Sequence, residues 1–544
     1  MRSTARHCAA ALAIAFVALG AGRLLAQNGA QFRDWKAGAL SGGAAKPSVP
    51  CLTLIALTGY EFSVSTATQV AAAGEAPEFC RVTGLIAPEV RFEVELPSAW
   101  NGRLYMFGNG GYAGENLDAP GRAATAQRAL ARGFAAVQTN TGHDAAAEPL
   151  ATFAASPQKL VDYAYRAVHV TAMTARRIAQ AYYATAPRHA YFDGCSTGGR
   201  EALIEAQRFP DDFDGIVAGA PVLDFSCTMI SYSTIQRALA AAPLAAGKLR
   251  LVADAVYAKC DAADGLKDGL IEDPRACRFS PAADLPHCSG DADGTDCFTP
   301  AQLRALEAVY RAVPRGGADF FPGWPVGAEI AAADGGNSAW LPWFVSPPNG
   351  RPIQASFGET FFKYIAFGTT KSDYDWLSFN VDTDLAKIET ARAVLDATNP
   401  DLTRFKARGG KMVSYFGWAD PALNPLMGVR YYENVMRQMG PSTPDFYRLF
   451  MVPGMFHCGG GVGTSTFDAL TAVVDWVENG TAPQSILASR LVGGTAVRTR
   501  PLCPYPQIAK YKGTGSIDEA GSFACAAAVV TPSADAGRGP ASRP

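Results

Sequence analysis

The sequence predicts an α/β fold, a mostly parallel sheet with helices on both faces, split by one large insertion. Three observations predict it. Short strand-like runs alternate with helix-like runs from about residue 90 to 208, the pattern of parallel strands joined by helical crossovers. The alternation stops between about Leu223 and Leu402, where Gly, Pro, Asp and aromatic residues crowd together. It resumes at Lys411.

The elements follow in order. Arg91–Leu96 alternates polar and apolar residues, as a half-buried strand does. Leu104–Phe107 is a second strand, ending at Gly108-Asn109-Gly110-Gly111, and Ala135–Thr139 a third. Leu160–Tyr183 is Ala-rich with apolar residues at helical spacing. Ala190–Asp193 reads as a strand and Arg200–Arg208 as a helix; Lys411–Tyr415 and Tyr447–Met451 are late strands. A core in two parts is expected, 27–222 and 403–530, around an inserted domain at 223–402. The Pro/Ala/Gly tail at 531–544 is expected to be disordered.

The chain has 544 residues, 48% of them hydrophobic, ample for a large core. Only 18% are charged and the net charge is −2, which argues against a nucleic-acid or anionic-membrane partner. Residues 1–26 read as a secretory signal peptide. Arg2 and Arg6 supply the positive start, Cys8–Leu19 the apolar run, and Ala26 the small residue before cleavage. Gly20, Gly22 and Arg23 interrupt that run before it is long enough to span a bilayer, and no later segment reads as a membrane span. A secreted or periplasmic protein is expected. Of its twelve cysteines, Cys8 leaves with the signal; most of the other eleven should pair, with one left over. No Cys-x-x-Cys pair is present, which disfavours zinc.

Gly194-Cys195-Ser196-Thr197-Gly198 fits G-x-S-x-G between a strand-like and a helix-like run. That context is the nucleophile elbow of an α/β-hydrolase core, here carrying an inserted lid domain. A serine nucleophile needs a base. His169 sits within a helix pattern, His189 before a strand, and His287 beside Cys288 in the insertion. His143 follows the third strand and suits a structural role better. His457, in the Gly-rich Pro453–Gly460 stretch after a late strand, fits the chain order of nucleophile, acid, base. Asp420, just after Lys411–Tyr415, is the expected acid. A turn-forming Asp before Pro421 is the plainer reading, and Asp445 and Asp475 are weaker rivals. An oxyanion hole needs two backbone N–H groups. Thr197 is expected to supply one, and Gly111 the other, with Gly110 close behind.

Cys195-Ser196 and His457-Cys458, with Asp420 between them, resemble the tannase and feruloyl esterase family over nearly the whole mature chain. The resemblance implies the triad Ser196, Asp420 and His457, with a Cys195–Cys458 disulfide joining the neighbours of Ser and His. It further implies the pairs Cys51–Cys80, Cys260–Cys277, Cys288–Cys297 and Cys503–Cys525, leaving Cys227 free. Asp261–Leu270 gathers three carboxylates in a Gly-bearing loop. Such a loop is equally a polar turn or a site for a hard cation. The resemblance implies structural calcium there, on the side chains of Asp261, Asp264 and Asp268 and the carbonyls of Leu266 and Leu270. No organic cofactor is implied.

The resemblance also implies a small aromatic ester as substrate: a feruloyl, other hydroxycinnamoyl or galloyl ester. Terephthalate monoester hydrolysis is an alternative. Trp340, Phe357 and Phe361 are candidates to stack on the acyl ring, although the insertion's own core is the plainer reading of each. Arg351 or Lys363 could meet an acid group. A non-catalytic secreted binding protein on a hydrolase fold is the rival from another class, which the complete triad disfavours. A monomer or homodimer is expected.

Overall fold

A computed structural model describes residues 44–329, 339–347, 350–368 and 373–528 of the chain. The expected signal peptide and tail lie outside the described residues.

The centre is a nine-stranded sheet. Its strands are β1 (Ser63–Val70), β2 (Phe79–Ile86), β3 (Val90–Pro97), β4 (Arg103–Phe107), β5 (Ala135–Thr139), β6 (His189–Cys195), β7 (Gly215–Gly219), β10 (Lys411–Gly417) and β11 (Tyr447–Val452). They lie in the order β1-β2-β3-β5-β4-β6-β7-β10-β11. The first three pair antiparallel, as does β3 with β5; all pairs from β5 to β11 are parallel. The fold is an α/β-hydrolase core. Strands β8 (Val313–Arg315) and β9 (Ala318–Phe321) form a separate hairpin. Among the described residues, no strand of the main sheet lies between Gly219 and Lys411.

Helices α1 (Pro120–Leu130) and α2 (Ala167–Tyr183) pack on β5 and β3. Helix α3 (Thr197–Arg208) packs on β6 and β7; α4 (Phe225–Ala241) follows β7. Helix α5 (Pro425–Met439) follows β10, and α6 (Ala469–Asn479) packs on β7 and β10. Parallel strands covered in this way are buried on both faces. Every residue of β4, β5 and β7 is buried.

Two local expectations differ from the structure. The alternation in Arg91–Leu96 predicts a polar face in water, yet Glu93 and Glu95 are buried. Glu93 accepts from Arg81 Nε at 2.6 Å and Gln138 Nε2 at 2.7 Å, and Gln138 in turn accepts from Arg122 Nε at 2.6 Å. The polar side of β3 thus faces a buried hydrogen-bonded layer under α1. The single helix expected over Leu160–Tyr183 contains a π-helical turn at Asp162–Arg166 before α2. The carbonyls of Tyr163 and Ala164 in that turn accept from Arg200, a fully buried residue of α3. That contact ties the elbow helix to its neighbour.

Candidate active site

Ser196 stands between β6 and α3 with φ 64° and ψ −120°, a strained conformation for a residue with a Cβ. Its own N–H donates to the Gly219 carbonyl at 3.0 Å. The turn is possible because its neighbours are glycines. A Cβ on Gly194 would fall 2.5 Å from the Gly198 carbonyl carbon, and one on Gly108 2.6 Å from Gly198 Cα. The hydroxyl-bearing residue therefore sits at the N-terminus of α3, where the helix dipole favours negative charge.

Asp420 follows β10 and is buried. Its Oδ2 lies 2.8 Å from His457 Nδ1, and its Oδ1 accepts from the backbone N–H groups of Ala422 at 2.8 Å and Leu423 at 2.9 Å. Three bonds thus fix the carboxylate, and one fixes the ring. The loop carrying His457 folds back on itself through a Met455–Gly461 bridge. Gly417 lets that loop pass close to β10, since a Cβ there would lie 2.2 Å from the Met455 carbonyl oxygen. Cys195 and Cys458, 263 residues apart, are bonded with S–S 1.98 Å. Ser196 and His457 are thus the covalent neighbours of one disulfide.

The loop after β4 closes the other side. Gly110 N–H donates to Glu115 Oε1 at 2.6 Å, so of the two glycines considered for the oxyanion hole Gly110 is already committed. The Gly111 carbonyl accepts from the Thr197 and Tyr163 hydroxyls. Phe357 lies over Gly111: a Cβ there would be 3.3 Å from the ring. Phe357 stacks on Tyr112 at 4.9 Å between centroids and approaches Trp343 at 6.4 Å; Trp343 meets the His457 ring edge-to-face at 5.9 Å. An aromatic run therefore crosses from Gly111 to His457.

A model of the family described as "Tannase and feruloyl esterase" matches residues 72–526. The chain belongs to the tannase and feruloyl esterase family. Among its relatives, the mono(2-hydroxyethyl) terephthalate hydrolase of Piscinibacter sakaiensis is 36% identical, over 85% of this chain and 87% of that protein. Feruloyl esterase B of Aspergillus niger is 32% identical over 82% and 87%. The crystal structure of feruloyl esterase B from Aspergillus oryzae superposes with a TM-score of 0.75 at 28% identity, over 88% of this chain and 99% of that one. As a member of this family the chain is a carboxylic ester hydrolase.

The other expected residues fall as follows. His169 also meets a carboxylate, with Nδ1 2.5 Å from Asp212 Oδ2. That pair lies past the far end of α3, whose twelve residues span about 18 Å. Glu205 joins it, and potential ligand atoms of His169, Glu205 and Asp212 lie within 4.8 Å of one another. His189 begins β6, at the opposite end from Ser196, and His287 bonds the Ala282 carbonyl at 2.8 Å. His143 stacks on Phe153, and burial pushes it down to about 4, so it stays neutral. Of the rival acids, Asp445 precedes β11 and Asp475 lies within α6.

The five expected disulfides are present, and Cys227 is the free, buried cysteine among the described residues. Trp340 and Phe361 pack within the insertion. Both are fully buried, Trp340 against Tyr310 and Phe344 and Phe361 against Phe225 and Phe362. Packing of the insertion claimed them, and Trp343, passed over in the sequence, lies at His457 instead. Arg351 and Lys363 both pair with Glu359. In the Asp loop, Asp261 Oδ1 accepts from the N–H groups of Asp268 at 3.1 Å and Gly269 at 2.9 Å. Asp264 Oδ1 accepts from Leu266 N–H at 2.9 Å, and Asp268 pairs with Arg500. The ligand atoms offered are hard oxygens only; Asp264 Oδ1, accepting one N–H, keeps a second lone pair for a cation, whereas Asp261 Oδ1 accepts two and Asp268 is engaged by Arg500. The set suits calcium rather than zinc.

Proposed function

We propose that this esterase hydrolyses esters of aromatic acids, of the feruloyl, hydroxycinnamoyl or galloyl type, through an acyl-enzyme on Ser196. The observation that carries the reading is the coupling of two bonds: Cys195–Cys458, and His457 Nδ1 to the buried Asp420. Asp420 holds the proton on Nδ1, so Nε2 is the basic nitrogen. It takes the Ser196 proton as the hydroxyl attacks the ester carbonyl. The N–H groups of Thr197 and Gly111 receive the oxyanion. His457 protonates the leaving alcohol, then activates the water that releases the acid.

The names of the relatives support the aromatic acyl class, and the Tyr112–Phe357–Trp343 run gives a planar ring something to stack on. Residues 223–402 act as the lid that brings Trp343 and Phe357 to the site. The terephthalate monoester is the second reading, favoured by the 36% identity to a hydrolase of that ester. The pairing of Arg351 and Lys363 with Glu359 counts against a free cation for its acid group. The protein is secreted or periplasmic, in keeping with its five disulfides. Asp261, Asp264 and Asp268, with the Leu266 and Leu270 carbonyls, would hold calcium that shapes the insertion; EGTA should lower the melting temperature without changing turnover below it.

The test is a hydrolysis panel of methyl ferulate, methyl gallate and the terephthalate monoester, with Ser196→Ala alongside. Ser196→Ala should be folded and inactive on all three. Full activity in that variant would end the proposal.

A further inference from the structure

Asn109 and Gly110, the two residues before Gly111, each have their backbone N–H bound by a carboxylate, that of Glu201 buried and that of Glu115 partly so. Glu201 lies on α3, one turn beyond Ser196. Its Oε2 accepts from Asn109 N–H and its Oε1 from Asn109 Nδ2, both at 3.0 Å. Glu115 takes the Gly110 N–H at 2.6 Å, with Arg122 3.8 Å from the same oxygen. In return, Gly198 N–H donates to the Asn109 carbonyl at 2.7 Å. Three hydrogen bonds therefore join Asn109 to the elbow helix, and a fourth joins the Thr197 hydroxyl to the Gly111 carbonyl.

Room for this contact is built in. A Cβ on Gly108 would lie 2.9 Å from Glu201 Oε2, so the glycine is what admits the carboxylate. Glu201 is 2% exposed, and burial pushes its carboxyl up to about 7 despite the neighbouring Arg200. Apolar residues fill such positions at lower cost. A carboxylate here, ionised above about pH 7, does what they cannot: it accepts two hydrogen bonds from one residue and so fixes that residue's orientation.

We propose that Glu201 is a positioning residue for ester hydrolysis, holding the Asn109–Gly111 backbone so that the Gly111 N–H faces the developing oxyanion. This rests on the reading of Gly111 as an oxyanion donor. A donor group displaced by about 1 Å loses on the order of 100-fold in rate, because its bond strengthens only as charge develops on the acyl oxygen. The effect belongs in kcat.

Two variants at one position separate positioning from packing. Glu201→Met keeps the volume and removes both acceptors. Glu201→Gln keeps one acceptor for Asn109 N–H. The Asn109 amide can then turn over to bond the new NH2, because its Oδ1 is buried without a hydrogen-bond partner in the structure. On methyl ferulate, Glu201→Met should lose about 100-fold in kcat with KM within about twofold, and fluorophosphonate labelling of Ser196 should slow in parallel. Glu201→Gln should lose less than about tenfold. Unchanged kcat in folded Glu201→Met, with only the melting temperature lowered, overturns the proposal. So does an equal loss in both variants, or a loss confined to KM. Should Glu201→Met not fold, Asn109→Ala removes the side-chain half of the contact. It should lose about tenfold in kcat, and no loss overturns the proposal. Failure of the parent reading shows separately, as an active Ser196→Ala enzyme or a wild type without esterase activity.

Discussion

His457 reaches Asp420 through a single 2.8 Å hydrogen bond, while the other oxygen of that carboxylate is held by two backbone N–H groups. The carboxylate cannot turn without losing both of those bonds, so it holds the imidazole in one orientation and, in the proposed mechanism, its proton on Nδ1.

Asp420→Asn tests this directly. The amide oxygen keeps the two backbone donors, which turns the NH2 toward His457 Nδ1 and forces the proton onto Nε2, the wrong nitrogen for a base. The fold should persist while kcat falls roughly 10,000-fold. Initial rates and a melting curve check it; a loss under tenfold would mean that another acid serves His457.

The Cys195–Cys458 link closes a loop of 263 residues. Replacing both cysteines with serine leaves no stray thiol and isolates the link. By loop-closure entropy, stability should fall by roughly 5–6 kcal/mol. Turnover should fall as well, since in the proposed mechanism the tether holds Ser196 and His457 in register. Urea unfolding and kcat, measured on the same preparation, give both numbers. A stability loss with kcat unchanged would show that the remaining contacts of the His457 loop suffice for alignment.

Trp340 and Trp343 are three residues apart and should respond in opposite ways. Trp340 is fully buried, so Trp340→Ala should cost about 3–5 kcal/mol of stability. Trp343 is partly exposed beside His457, so Trp343→Ala should weaken hydrolysis of aromatic esters more than that of an acetate ester, at little cost in stability. Equal losses on both esters would remove Trp343 from acyl recognition.

That pair also shows what was legible in the sequence. The elbow could be read because its mechanics are local: glycines around Ser196, a strand before it and a helix after it. Asp420 and His457 could be read from their places after late strands. Trp340 and Trp343 could not be told apart, because Leu341 and Pro342 between them leave helical geometry and no periodicity says which ring turns inward. The polar face of β3 read as solvent-facing because its partners, Arg81, Gln138 and Arg122, come from other elements. Glu201 and Asn109 are 92 residues apart and carry no motif.

Buried carboxyls should make stability fall as pH rises. Burial pushes Glu95 up to about 8, and Asp193, Glu201 and Glu329 up to about 7. In the unfolded chain they titrate near 4. Between about pH 4 and 8 the native state therefore holds more protons than the unfolded state, and stability declines with pH. Each such group contributes up to about 1.4 kcal/mol per pH unit within its window. His143 works the other way. Pushed down to about 4, it favours the native state increasingly as pH rises toward 6.5, but it is one group against four. Groups held low, such as Glu478 beside Arg103 and Tyr191, are ionised in both states above pH 5 and drop out. The melting temperature should thus peak near pH 5 and decline toward pH 8, and Glu95→Gln should flatten the upper part of that slope. A melting temperature that climbs from pH 5 to 8 would mean these carboxyls are ionised and paired in the native state.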